Sequence, residues 1–196
     1  MGKVLIAAAV IVTAAAIVGG ARVWASQDVE EPDYTVEAAQ GAFEVRNYPA
    51  MVAAQVDRPG NRGAAVRSAF PKLAGYIFAK DRPGEKIAMT APVTQEVGDN
   101  GWTVSFIMPE GRTLADLPAP AGDVVLVDIP PRRMATMRFS GRWSDAKFQT
   151  HADQLTAWVK AQGLTMVGDV EFAYYNDPFT PGFMRRNEVM VELAPR

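Results

Sequence analysis

Two stretches of this chain map onto each other at a constant offset, and that recurrence restricts the fold more than any other feature. Val66, Phe70, Leu73, Tyr76 and Ile77 fall on Phe148, Ala152, Leu155, Trp158 and Val159, and Pro49 and Ala53 fall on Pro131 and Ala135. In each set the apolar residues recur at the spacing of one helix face. Any two amphipathic helices agree to some extent, so the order of the flanking strands carries more weight. Alternating runs at 34–38, 43–48 and 51–56 precede a helical stretch at 61–80, and runs at 86–97 and 102–108 follow it. A Pro-, Gly- and Ala-rich connection at 109–122 leads to the second half. There, strands at 124–129 and 133–139 precede a helix at 144–162, and strands at 170–176 and 187–193 follow. The implied unit is strand, helix, hairpin, used twice. Two such units pair their sheets into one curved, partly closed sheet carrying two helices, an α+β domain.

Local signals agree with this outline. Asn61 can cap the first helix, and Ser144 the second. Pro71 inside the first helix removes a hydrogen bond and predicts a kink or restart there. The turn Asp81-Arg82-Pro83-Gly84 ends that helix, and Gly163 ends the other. Gly98-Asp99-Asn100-Gly101 between two apolar runs is a hairpin signal.

The first residues are of another kind. After Met1-Gly2-Lys3, the stretch 4–21 contains no charge, and Val23 and Ala25 precede Ser26 as short residues before a cleavage site would. Residues 1–25 therefore read as a signal peptide, or as an uncleaved membrane anchor near the lower length limit of a span. Either reading places the folded part outside the cytoplasm, periplasmic or exported. Residues 26–33 are acidic, contain a proline and read as a linker, and 34–196 form the domain.

Composition removes several functions. The formal charge is −2 and no basic run exceeds two residues, so nucleic acid is not an expected partner. There is no cysteine, which excludes disulfides, thiolate metal sites and a thiol nucleophile. GxSxG, HExxH, P-loop and dinucleotide motifs are absent from the sequence, and one histidine leaves few nucleophile–base pairs. A binding protein without catalysis is the expectation.

Three separated segments carry a family resemblance. They are Phe43-Glu44-Val45-Arg46-Asn47-Tyr48, then Lys86-Ile87-Ala88-Met89-Thr90-Ala91-Pro92-Val93, and finally Tyr175-Asn176-Asp177-Pro178 followed by Arg185-Arg186-Asn187-Glu188-Val189. In this order they resemble the SOUL/haem-binding protein family, over about residues 34–193. The resemblance implies a fold of two pseudo-symmetric βαββ repeats forming a distorted β-barrel with two packed helices. It also implies haem or another tetrapyrrole as ligand, held in an apolar groove along the first helix. Carried onto this chain, the cofactor-binding positions are Arg67, Phe70, Leu73, Ala74 and Ile77. A lysine that some relatives carry at position 75 is Gly75 here, and the closing loop 179–182 has no basic residue.

Each of these side chains also has an ordinary explanation. A guanidinium at Arg67 can grip a carboxylate with two prongs, or it can be a solvated helix arginine. Phe70, Leu73 and Ile77 can floor a groove or belong to the core. His151 is the only imidazole available to a haem iron, and a packed helix-flank histidine is its plainer reading. Methionines such as Met89 and Met184 offer thioethers but serve as core fillers. Arg185, Arg186, Asn187 and Glu188 can bind an anion, or can hold the closing loop through its carbonyls. Two further functions stay open: a module for another small hydrophobic ligand, and an envelope interaction or scaffold protein.

Overall fold

Among the described residues, nine antiparallel strands form one sheet, and two helices lie on one of its faces. The computed structural model describes residues 29–196. The leader expected at 1–25 and the beginning of the linker expected at 26–33 lie outside the described residues. In chain order the elements are β1 (Thr35–Gln40), β2 (Phe43–Tyr48), β3 (Met51–Arg58), α1 (Arg62–Ile77), β4 (Val93–Gly98), β5 (Gly101–Ile107), β6 (Val125–Ile129), β7 (Arg132–Ser140), α2 (Asp145–Ala161), β8 (Met166–Tyr174) and β9 (Arg186–Leu193). The spatial order is β1-β2-β7-β9-β8-β4-β5-β3-β6.

The α+β class is as expected, but the sheet does not close into a barrel. β1 and β6 are its two edges. β2 and β3 are consecutive in sequence yet lie in opposite halves, β2 on β7 and β3 between β5 and β6. Pro49 and Ala50 join them, and Pro130 and Pro131 join β6 to β7 in the same manner. Proline has no N–H for a ladder, so both junctions link the halves by chain and not by sheet hydrogen bonds. The halves do meet at the sheet centre. There β4 and β8 share only the pairs Val93–Tyr174, Thr94–Ala173 and Gln95–Phe172.

α1 covers β3 and β5, burying Ala69, Leu73, Tyr76 and Ile77 against Val52, Ala54, Val56, Val104 and Phe106. α2 covers β7, β8 and β9, burying Phe148, Ala152, Leu155 and Val159 against Ala135, Met137, Phe139, Val189 and Val191. Alternation along each strand sends the intervening residues to the other face, where Tyr48, Met134, Ala173 and Met190 form a smaller cluster with Tyr34, Met51 and Tyr175.

Asn61 caps α1 by accepting the N–H of Ala64, and Ser144 caps α2 by accepting that of Lys147. The restart expected at Pro71 does not occur: α1 runs unbroken from Arg62 to Ile77. Pro71 is exposed, so the carbonyl it leaves free faces solvent. The buried rows show a one-residue slip around this proline. Before it, Ala65 and Ala69 occupy the places of Phe148 and Ala152. After it, Leu73 and Ile77 match Leu155 and Val159. Ala69, not Phe70, is thus the counterpart of Ala152.

The strand expected to start at residue 86 starts at Val93. Across 86–92 the backbone groups bond elsewhere: Ile87 N–H donates to the carbonyl of Ile77, Ala91 N–H to that of Glu30, and the Thr90 hydroxyl to the Ile107 carbonyl. The segment therefore ties the end of α1 and the incoming chain to β5. It also seats residues 30 and 31, expected as linker, on the sheet, where Glu31 pairs with Arg186 at 2.7 Å.

Candidate functional site

The expected groove residues divide by helix flank. Leu73 and Ile77 are fully buried beneath α1, and Ala74 is nearly so. Arg67 and Phe70 lie on the exposed flank. Phe70 keeps 42% of its surface in solvent while its ring meets the edge of Phe106 at 5.5 Å. A helix turn advances by 3.6 residues, so Arg67, Phe70 and Ala74 form one strip. The guanidinium of Arg67 folds back toward Gly63, 3.4 Å from where a Cβ there would stand. No carboxylate among the described residues pairs with Arg67. The strip therefore offers one cation and one aromatic face to a flat, acidic ligand.

The next turn changes the charge. Asp81 packs against Gly75 so closely that a Cβ on Gly75 would stand 2.0 Å from the carboxylate. At the position where some relatives carry a cation, this chain has no side chain and a neighbouring anion. Lys72 and Tyr76 point to the other flank. With Asp81, Arg82 and residues 121–124 they line a cavity of about 90 Å³. Pockets for drug-sized ligands run to several hundred Å³, so a macrocycle does not fit inside it.

His151 sits in the other half, on α2. Its ring stacks on Phe139 at 3.9 Å and its Nδ1–H donates to the carbonyl of Lys147 at 2.7 Å. Those two contacts hold it as a packed flank residue. Met89 and Met184 are partly exposed.

Arg185 secures the closing loop by donating to the carbonyls of Pro178 and Thr180, and Asn187 donates to that of Gly141. Arg186 and Glu188 do something else, which the spacing in sequence did not reveal. Glu188 is fully buried on the face away from the helices. It accepts from Arg46 at 2.7 Å, from Arg186 at 2.9 Å and from the Tyr175 hydroxyl at 2.9 Å. Arg46 stacks on Tyr34 at 4.3 Å and Arg186 on Tyr175 at 3.7 Å. Burial pushes the Glu188 carboxyl up, but the two guanidiniums outweigh it and hold the group below the usual carboxylate range. Burial raises the Tyr48 phenol beside this network to about 12. Arg46 also pairs with Glu44 and Arg186 with Glu31, each at 2.7 Å, so both guanidiniums are fully partnered and the network is a built-in brace. The only sequence sign of it is charge at alternate positions: Glu44 and Arg46 in β2, Arg186 and Glu188 in β9.

Where β4 and β8 diverge, Glu96 stands near Glu171, Asp169 and Glu192, with Arg132 bonded to Glu171. Burial first, then the charge of Glu171, raises Glu96 to about 7.

The N-termini of the helices meet between the halves. Arg62 of α1 pairs with Asp145 of α2 at 2.6 Å, and its guanidinium lies over Phe148 and Phe172. Its carbonyl accepts from Gln95, which in turn accepts from the Tyr174 hydroxyl.

The family model "SOUL heme-binding protein" matches residues 29–192. Heme-binding protein 2 of Homo sapiens is 29% identical over 185 residues, covering 87% of this chain and 89% of its own. Heme-binding protein 1 of Mus musculus is 29% identical over 140 residues, covering 66% of this chain and 72% of its own. Among solved structures, the EcmrR C-terminal domain aligns with a TM-score of 0.55 at 14% identity, over 83% of this chain and 99% of its own. A protein described as a hydrolase from Listeria innocua aligns with a TM-score of 0.55 at 16% identity, over 81% and 94%. At such identities these two structures speak for the fold alone.

Proposed function

We propose that this chain, which belongs to the SOUL heme-binding protein family, holds haem or a related tetrapyrrole against the exposed flank of α1, without catalysis. The observation that carries the reading is Phe70. A large aromatic stands half in solvent one turn after Arg67, which pairs with no carboxylate among the described residues, on the helix where relatives of this family are expected to bind. A flat ring covering Phe70 would remove apolar surface from water at roughly 25 cal/mol per Å², and a propionate could meet Arg67. Leu73 and Ile77 support Phe70 from beneath, and Ala74 leaves room for a ring to approach. Nothing on this flank supplies an axial ligand, so the ligand is held by its face and its carboxylates.

Two finer readings accompany it. The leader makes the protein periplasmic or exported, cleaved or anchored. The sheet order supports descent from two repeats, since β3-β5-β4 with β6 outside mirrors β7-β9-β8 with β2 outside.

Haemin titration tests the function. The chain should shift the Soret band and lose tryptophan fluorescence as haemin is added, and absence of both changes would reject it. Because Leu73 and Ile77 are taken up by the core, a second reading is an envelope interaction or scaffold protein. Another amphiphile that stabilises the fold while haemin does not would instead favour a different small hydrophobic ligand.

A further inference from the structure

The loop between β8 and β9 turns its apolar side chains outward. Phe179 is 94% exposed and Phe183 82%, with Met184 beside them at 46%. Exposed single apolar residues are ordinary, but two phenylalanines and a methionine within six positions form a patch. Its shape is fixed from inside. The carboxylate of Asp177 accepts the N–H groups of Phe179 and Thr180 at 2.7 and 3.0 Å and the Thr180 hydroxyl at 3.0 Å. Arg185 binds the carbonyls of Pro178 and Thr180, and Arg186 N–H donates to Asn176 at 2.6 Å. Gly182 rests on Arg142, whose Cγ would be 2.9 Å from a Cβ at that position. The loop's polar groups thus bond inward, while the two phenylalanine rings stack on no other ring among the described residues.

The chain N-terminal to the fold arrives at the base of this same loop. Glu31 pairs with Arg186 at 2.7 Å. In the sequence the uncharged run ends at Ala21, about ten residues earlier, a reach of at most about 35 Å. Arg22 follows the run directly, and Arg142 is exposed beside the loop. No helix among the described residues is long and apolar enough to cross a membrane.

We propose that the 177–184 loop docks on a lipid bilayer, with Phe179, Phe183 and Met184 entering the interface beside the N-terminal apolar segment and Arg142 meeting lipid phosphates. This rests on reading residues 1–25 as a segment that can remain in the membrane. Aromatic side chains favour the interface, and a short tether makes the second contact intramolecular. The fold then stands on the membrane by two attachments, which fixes its orientation.

The full chain with Phe183→Trp, incorporated into vesicles of phosphatidylcholine and phosphatidylglycerol, tests this with brominated lipids as quenchers. Trp24, next to the apolar run, already reports on that run in the unmodified chain. The substitution should add emission that brominated lipid quenches, the behaviour of a ring at the interface. Haemin titration of the same variant in solution should match the unmodified chain, which keeps this result separate from the haem reading. Quenching of Trp24 without quenching at position 183 leaves the anchor in place and overturns the docking. Quenching at 183 by haemin and not by bromine also overturns it, and makes the loop a wall of the ligand site. A chain that does not float with vesicles overturns both the anchor and the docking.

Discussion

Glu188 in β9 accepts two hydrogen bonds from the guanidinium of Arg46 in β2, at 2.7 and 3.2 Å, across the intervening strand β7. Both residues are almost wholly removed from solvent, so the pair bridges β7 on the face opposite the helices. Removing one partner of such a pair leaves an uncompensated buried charge. Glu188→Ala should therefore cost about 3–5 kcal/mol, read as a lower urea midpoint at unchanged m-value. A loss under about 1 kcal/mol, the size of an exposed pair, would show that the network does not brace the sheet.

The pH dependence has two limbs of opposite sign. Glu96 is raised to about 7 by burial and by Glu171, against the attraction of Arg132. The folded state holds its proton where the unfolded state has lost it, so stability falls as pH rises from the ordinary glutamate range toward 7. Glu188 is lowered, so its contribution is lost as pH falls through its folded pKa, below the ordinary range. Thermal melts from about pH 2 to about pH 8 should show stability declining above about pH 5 and again on the acid side. Glu96→Gln should flatten that decline without altering the acid limb. A decline that persists unchanged in Glu96→Gln would assign it to another group.

Gly75 and Asp81 set the charge in the last turn of α1, toward the flank that carries Lys72. Gly75→Lys alone forces its Cβ onto the Asp81 carboxylate and should destabilise the fold. Combined with Asp81→Ala, the same lysine has room and the neighbouring anion is gone. The double variant should bind haemin about tenfold more tightly, the worth of one charge-assisted hydrogen bond. Equal affinity would mean that propionates do not reach this turn.

Much of this architecture was legible in the residues because it rests on local pattern. The helix stripes, the Gly98–Gly101 hairpin and both N-caps follow from spacing and from side chains that bond within a few positions. What escaped depends on distant partners. A one-residue slip around Pro71 moved Phe70 out of the core row, and helical periodicity alone could not separate it from Ala69. Residues 86–92 have strand composition, but their N–H groups bond to Ile77 and Glu30 instead of a neighbouring strand. β8 begins at Met166, earlier than expected, because Gly168 at φ 84° sits in a register shift and not in a turn. The Arg46–Glu188 pair joins residues 142 positions apart, beyond any motif. At the proposed site, Arg67 and Phe70 could be named from the family resemblance, but their exposure could not be read from the sequence.

Haemin titration of the full chain beside Arg67→Ala/Phe70→Ser and His151→Ala tests the central claim most directly. Removing one charged contact and one half-exposed aromatic should weaken binding by about tenfold to a hundredfold, while His151→Ala should leave the Soret shift and affinity unchanged. Loss of the Soret shift with His151→Ala, and full binding by Arg67→Ala/Phe70→Ser, would move the ligand to α2 and contradict a site on α1.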